Sequence, residues 1–412
     1  MTCKVPLSVA YLSPGWPLSH FPNGIVAYLE NLIAGFDRNT QAYILANHVR
    51  GNTMAGHIVD LSAISLHRTL VESCLDKLAS RTSLSCAHRY TAQRSLLNAV
   101  QKVNKGLDLL AIKPDIIEVE ESLGLALSLV EKLSTPVVTR LHGPWFIHGP
   151  IMQLDNAADY RWRVKIEGEG ILASQGVTAP SLDVLNKVRE YYDLSLFEAK
   201  VIPNPVLPVP KEKQWQYNCG ARAAILVVGR FDLHKGGDLV LNAFQIIASK
   251  NKDIELLFVG PDRGVVIDYV EYDFSSYVEK FMAENSIKRR VHFLGHCDTE
   301  KIAKLRRNTT ITVIPSRYET FSISMVEALS AGSPVVAYAV GAIRELVTDG
   351  FNGLLAEPES AESLAENVLR LLDDPEKMNE LSANAIEDSV KRFSPNVVAK
   401  QTVAYYKEIL LR

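Results

Sequence analysis

The chain has 412 residues, 47% of them apolar, and a formal net charge of −3 at neutral pH, the balance of a soluble globular protein and one that argues against wholesale nucleic-acid binding. One hydrophobic core no longer organises a chain this long, so two domains of about 200 residues each are expected. No window of about 18 or more uncharged apolar residues occurs, and the five scattered cysteines, Cys3, Cys74, Cys86, Cys219 and Cys297, contain no C-x-x-C pair, which points to a reducing compartment and away from a structural zinc.

Met1 to Lys4 leads straight into the apolar run Leu7 to Leu12, without the apolar core and cleavage site of a signal peptide, so a cytoplasmic location is expected. Further strand-like runs lie at Ala42 to Ala46, Asp115 to Val119, Pro136 to Thr139, Gly176 to Ala179 and Lys200 to Ile202. Helical stretches lie between them at Gly24 to Phe36, Ser122 to Leu133 and Ser181 to Tyr192. Strands alternating with helices predict a parallel sheet covered on both faces.

Between Ser65 and Gly106, Arg68, Lys77, Arg81, Arg89, Arg94, Lys102 and Lys105 face only Glu72 and Asp76. Carried on helices, this stretch is either a solvated face or a surface for anionic membrane, where lipid-linked acceptors reside. Gly168-Glu169-Gly170-Ile171-Leu172-Ala173 fits the dinucleotide pattern G-x-G-x-x-A, but charged, helically spaced Tyr160 to Lys165 stands where that motif needs a buried strand. It is expected to end a helix instead.

Pro203, Pro205, Pro208 and Pro210, followed by polar Lys211 to Asn218, read as a stiff linker. The domains are therefore placed at 1–203 and 204–394. The second alternating series runs Ala224 to Val228, Glu255 to Val259, Val291 to Leu294, Ile311 to Ile314, Pro334 to Tyr338 and Gly353 to Ala356, and Ser394 to Leu411 closes the chain with helical periodicity.

The most informative stretch is Pro315-Ser316-Arg317-Tyr318-Glu319-Thr320-Phe321-Ser322-Ile323-Ser324-Met325-Val326-Glu327-Ala328-Leu329. A buried strand precedes it and Phe321 to Ala331 reads as a helix, so Glu319 falls in a strand-to-helix turn, where parallel sheets hold ligands. The amides of Phe321, Ser322 and Ile323 would lack intrahelical partners and form an anion site suited to phosphate. Ser324-x-x-Glu327 also fits a capping box, which would leave Glu327 at a helix terminus.

With Glu319 and Glu327 eight apart, this segment resembles the E-x7-E element of family 4 retaining glycosyltransferases with the GT-B fold. The resemblance extends to Ile225-Leu226-Val227-Val228-Gly229-Arg230-Phe231-Asp232-Leu233-His234-Lys235-Gly236-Gly237, and to Ala331-Gly332-Ser333-Pro334 and Gly341 to Gly353 downstream. It is looser in the first half, at Pro22-Asn23-Gly24-Ile25-Val26, Lys113 to Glu118, Val138 to Gly143 and Ile202-Pro203-Asn204-Pro205. Asn23-Gly24 stands where the family commonly has paired glycines, and Ser322 where it has a glycine or similar small residue.

The resemblance implies an α/β protein of two Rossmann-like domains with parallel sheets facing a central cleft, and a final helix, about 395–412, packed back on the first domain. It implies a nucleotide diphosphate sugar donor, UDP-sugar first and GDP-sugar next. A hexose or N-acetylhexosamine would pass to a hydroxyl of a glycan, lipid-linked or small-molecule acceptor with retained configuration. No D-x-D motif is present, so Arg230 and Lys235 would stabilise the leaving diphosphate without a metal or other cofactor. Glu319 would hold the donor sugar, Glu327 the ribose, and His142 would approach sugar and phosphate. Gly24, with Asn23 before it, would let backbone approach donor and acceptor. Gly260-Pro261 and His296 would line the base by main-chain contacts. Closure would bring Gly24 and His142 toward Arg230, Lys235 and Glu319. The rivals are a nucleotide-sugar hydrolase or epimerase of the same fold, and a non-catalytic nucleotide-sugar-binding protein; a dehydrogenase lacks its glycine fingerprint.

Overall fold

In a computed structural model the chain forms two compact units, Met1–Pro205 with Pro395–Arg412, and Val206–Ser394. Residues 6–51, 56–66, 85–157, 159–218 and 223–412 are described. Much of the basic stretch, including Arg68, Lys77 and Arg81, lies outside them, as does the side chain of Arg89. Among the described residues, no helix is long and apolar enough to cross a membrane.

The first unit is built on β1 (Leu7–Ser13), β2 (Thr40–Ala46), β3 (Ile58–Asp60), β4 (Ile116–Glu120), β5 (Val137–Arg140), β6 (Gly176–Ala179) and β7 (Lys200–Val201). They form one parallel sheet in the order β3-β2-β1-β4-β5-β6-β7. Central β1 is apolar almost throughout because helices cover both faces of a parallel sheet. The order reverses between β1 and β4, the switch point at which such sheets take ligands.

The helix Pro395–Leu410 belongs to this unit through its buried face, which includes Val398, Tyr405, Tyr406 and Ile409. Its tyrosines satisfy polar groups that burial would otherwise leave unpaired. The Tyr406 hydroxyl donates to Glu118 Oε2 at 2.6 Å, Tyr28 donates to Glu118 Oε1 at 2.9 Å, and the Tyr405 hydroxyl accepts from Val177 N at 2.9 Å.

The second unit contains β8 (Ala224–Val228), β9 (Glu255–Val259), β10 (Val265–Ile267), β11 (Val270–Tyr272), β12 (Val291–Phe293), β13 (Ile311–Ile314), β14 (Val335–Tyr338) and β15 (Leu354–Ala356). Six are parallel in the order β12-β9-β8-β13-β14-β15, while β10 and β11 form a separate antiparallel hairpin. Phe231, Phe244, Phe258, Leu329 and Tyr338 are among the buried residues of its core. Here the order reverses between β8 and β13.

Several expected elements differ in detail. The stretch Ser122 to Leu133 is a short 3-10 turn, Ser122–Gly124, followed by a helix over Leu125–Val130 only, because Leu123 and Gly124 take left-handed backbone with φ 58° and 60°. The expected helix Phe321 to Ala331 begins at Ile323 and ends at Ser330. The glycine pattern at Gly168, by contrast, ends a helix as expected: Ala173 is the last residue of the helix Tyr160–Ala173. Its glycines admit close neighbours: a Cβ at Gly168 would overlap the Tyr192 ring, and one at Gly170 the backbone of Gly124.

Candidate donor site

Two turns meet at the C-terminal ends of adjacent β8 and β13. The first, Gly229 to Gly236, is tied to its neighbour by Gly229 N donating to Val259 O and Phe231 N to Pro261 O, both at 2.9 Å. Gly260 donates in turn to Gly295 O at 2.9 Å. Gly260-Pro261 therefore supports the first turn through its main chain, while His296, beyond Gly295, is exposed.

Within the first turn, the Asp232 carboxylate accepts from Arg230 Nε at 2.6 Å and from Lys235 N at 2.7 Å. One acid thus fixes the spacing of the two cationic residues. Gly236 closes the turn with left-handed backbone, φ 67°, and a Cβ there would overlap the Pro315 carbonyl oxygen. Only glycine meets both demands.

The second turn, Pro315 to Ser322, is clamped to the first by Arg317. Its guanidinium grips both Asp238 oxygens, at 2.8 and 2.6 Å, and donates to Leu233 O at 2.6 Å. The Arg317 amide donates to His234 O at 2.9 Å. His234 Nε2 lies 2.9 Å from Tyr318 O, and since a carbonyl only accepts, Nε2 carries the proton. Burial, and then the Lys235 charge, hold the His234 pKa below its ordinary value, which favours neutral imidazole.

Glu319 is buried where the turns touch, 5% exposed. Its Oε1 accepts from Lys235 Nζ and from Ser316 Oγ, each at 2.7 Å. Burial pushes its pKa up, but the Lys235 ammonium and the hydrogen bonds from Lys235 and Ser316 outweigh that and hold it below the usual carboxylate range. Ala342 N donates to Glu319 O at 3.0 Å, so the Gly341-Ala342 motif braces the same residue.

Ser322 precedes the helix with φ 60°, left-handed backbone that glycine adopts without cost. Ser322, with a Cβ, bears the strain of that conformation. The Phe321 ring is buried edge-on to Phe393, at 5.8 Å between centroids. The amides of Phe321, Ser322 and Ile323 donate no hydrogen bond to the described residues. Ser324 does not cap this helix; its hydroxyl donates to Val228 O at 3.1 Å, which removes the capping-box alternative for Glu327. Glu327 instead pairs with buried Arg306 at 2.7 Å.

In the first unit, the turn after β5 carries His142. The buried Glu121 carboxylate accepts from His142 N at 2.9 Å and Gly143 N at 2.6 Å, and Glu167 accepts from Trp145 N at 3.0 Å. The His142 ring meets Tyr28 edge-on at 5.2 Å, and Arg140 lies over the Tyr28 ring at 4.7 Å. Burial, then the Arg140 charge, keep the His142 pKa well below its ordinary value. Asn23 caps the helix Gly24–Ala34 by accepting from Ile25 N at 2.7 Å.

Arg230, Lys235 and Glu319 thus share one locus in the second unit, with Glu327 nearby in sequence on its own clamp. Asn23, Gly24 and His142 belong to the first unit. Sequence reasoning missed Asp232, Asp238, Arg306 and Arg317, although Asp232 inside the glycine-rich turn was a visible signal.

Both sheets, with their ligand-competent switch points, define a GT-B architecture. Sucrose-phosphate synthase (tll1590) from Thermosynechococcus elongatus has this fold, with a TM-score of 0.73 at 18% identity over 98% of this chain and 99% of that one. Anabaena Alr3699/HepE in complex with UDP also has it, with a TM-score of 0.63 at 17% identity over 98% and 100%. Residues 22–208 match the model of Glycosyltransferase Family 4, and residues 211–388 that of Glycosyl transferases group 1. The chain belongs to this glycosyltransferase family. An uncharacterized glycosyltransferase of Methanocaldococcus jannaschii, MJ1607, is 31% identical over 183 residues, which is 44% of this chain and 44% of that protein.

Proposed function

We propose that the protein transfers a hexose or N-acetylhexosamine, with retained configuration, from a nucleoside diphosphate sugar to an acceptor hydroxyl. UDP is the favoured nucleotide and GDP the next. The observation that carries this reading is the meeting of the two turns: Lys235 stands 2.7 Å from buried Glu319, and Asp232 orients Arg230 on the same glycine-rich loop. A diphosphate placed there would meet a guanidinium, an ammonium and the amides of Phe321, Ser322 and Ile323, so its developing charge is stabilised without a metal.

Lys235 uses one of its three N–H donors on Glu319 and has others for phosphate. Glu319 Oε1 is occupied by Lys235 and Ser316, so sugar hydroxyls are assigned to Oε2. A neutral His142, on the turn pinned by Glu121, can accept a hydrogen bond from a sugar hydroxyl. Acceptor recognition, together with any contact of the 65–106 stretch with anionic membrane, is assigned to the first unit.

The test is a panel of UDP-, GDP- and ADP-sugars in thermal unfolding with EDTA present, followed by product analysis with and without glycan, lipid-linked and small-molecule acceptors. A nucleotide-dependent rise in melting temperature and acceptor-dependent sugar transfer support the reading. Release of free sugar regardless of acceptor supports the hydrolase instead. No rise with any nucleotide sugar removes the proposal.

A further inference from the structure

Glu327 is held by a residue that neither strand-to-helix turn supplies. Arg306, on the helix Thr299–Asn308, is buried, 6% exposed. Its Nη2 donates to Ser324 O and Ser324 Oγ, each at 3.2 Å, and lies 2.7 Å from Glu327 Oε2. The Ser324 hydroxyl continues the chain by donating to Val228 O at 3.1 Å, one residue before Gly229 and the glycine-rich turn. Arg306 thus links three elements: its own helix, the first turn of the Ile323–Ser330 helix, and the end of β8. Its Nε is buried with no hydrogen-bond partner, a placement that sacrifices one donor to aim the other end of the guanidinium.

The Glu327 side chain is 37% exposed, against 7% for Arg306. The carboxylate therefore reaches accessible space while its charge is answered from behind. This matters beside a diphosphate, because an unanswered carboxylate repels the ligand it is meant to bind. With Oε2 directed at the guanidinium, Oε1 is left to accept from ligand hydroxyls, and the carboxylate cannot rotate freely.

We propose that Arg306 is a positioning residue that orients and neutralises Glu327, so that the protein selects ribonucleotides over deoxyribonucleotides. This inference rests on the donor-site reading above, with Glu327 at the ribose hydroxyls as the resemblance implies. Carboxylate acceptance from a vicinal diol is geometric: a freely rotating, uncompensated Glu327 would hold the diol less well and would repel phosphate more.

The experiment is calorimetric titration of the full chain with UDP, GDP and ADP, each beside its 2′-deoxy counterpart, for the wild type and for Glu327→Gln, Arg306→Met, Arg306→Lys and Ser324→Ala. A hydrogen bond to a charged group is worth roughly 1.5–3 kcal/mol, about tenfold or more in affinity. The wild type should therefore favour the ribonucleotide by about tenfold or more, and Glu327→Gln should erase most of that preference. Arg306→Met should also erase most of it. Arg306→Lys, which keeps charge but not the shared reach to Ser324, should restore part, and Ser324→Ala should weaken the preference a few-fold.

A purely structural arginine would lower melting temperature in all Arg306 variants but leave the ribose-to-deoxyribose ratio untouched. That result overturns the inference while the donor-site reading stands. Should Arg306→Met fail to fold, an unchanged ratio in both Arg306→Lys and Ser324→Ala overturns it equally. No binding of any nucleotide by the wild type removes the donor-site reading, and this inference with it.

Discussion

Replacing Gly236 with alanine probes the junction of the two turns. The backbone has φ 67°, and a Cβ would overlap the Pro315 carbonyl oxygen. Two costs therefore add. Left-handed backbone costs an alanine about 1–2 kcal/mol. Relief of the overlap requires the turns to part by about 1 Å or more, a displacement that can cost on the order of 100-fold in function. Because Lys235 and Glu319 sit on opposite sides of that junction at 2.7 Å, parting the turns breaks their pair and misplaces the ammonium.

Gly350→Ala is the matched control, since Gly350 has φ 74° but nothing within 4 Å of a Cβ. It should lower the melting temperature of the second unit by about 2–8 °C, at 2–4 °C per kcal/mol, and leave UDP affinity unchanged. Gly236→Ala should match or exceed that loss of stability and weaken UDP by about tenfold or more in calorimetric titration. Equal UDP affinity in the two variants, both folded, would show that closeness of the turns does not matter to binding.

Arg317→Met should destabilise the second unit by about 2–4 kcal/mol in urea unfolding, because it leaves the mostly buried Asp238 carboxylate unpaired; a loss below 1 kcal/mol would contradict the clamp. The units should respond to pH in opposite senses. Glu319 has its pKa depressed by Lys235, so its contribution is full above the ordinary value of 4.5 and is lost as pH falls through the lower folded value. Glu319→Gln should flatten that acid-side loss. Glu167 is pushed up to about 8 by burial and then by Glu121. Its stabilising contribution is present below the ordinary 4.5 and is lost as pH rises toward about 8, with a slope up to about 1.4 kcal/mol per pH unit. Thermal unfolding of Glu167→Gln between pH 5 and 8.5 should show a shallower slope than the wild type, the remainder coming from Glu120, which burial and then Glu121 push up to about 7; an unchanged slope would assign it elsewhere.

The sequence placed the sheet strands well where burial on both faces leaves continuous apolar runs: β6, β8, β9 and β13 have the bounds read from it. It failed where pattern is absent. The strand Ile58–Asp60 has three residues, too few for periodicity, and the hairpin at Val265–Tyr272 turns at Asp268-Tyr269 rather than at an Asn-Gly signal. The helix Trp145–Ile151 carries Gly149 and Pro150, which read as breakers. Within the site, Arg230, Lys235, Glu319 and Glu327 were legible as motif residues. Their holders were not: Arg317 reaches Asp238 across 79 positions, and Glu121 and Glu167 reach the His142 turn across more than 20. Pairings at such separations follow from sheet order, which no local spacing encodes.

Under the proposed function, a nucleoside diphosphate is bound without a metal by the cations of the glycine-rich turn. Titration of UDP in EDTA tests it most directly, with wild type, Arg230→Ala and Lys235→Ala compared at equal thermal stability. Wild-type affinity should be unaffected by EDTA, and each substitution should weaken it by about tenfold or more. Binding that needs added divalent cation, or that survives both substitutions unchanged, would contradict the proposal.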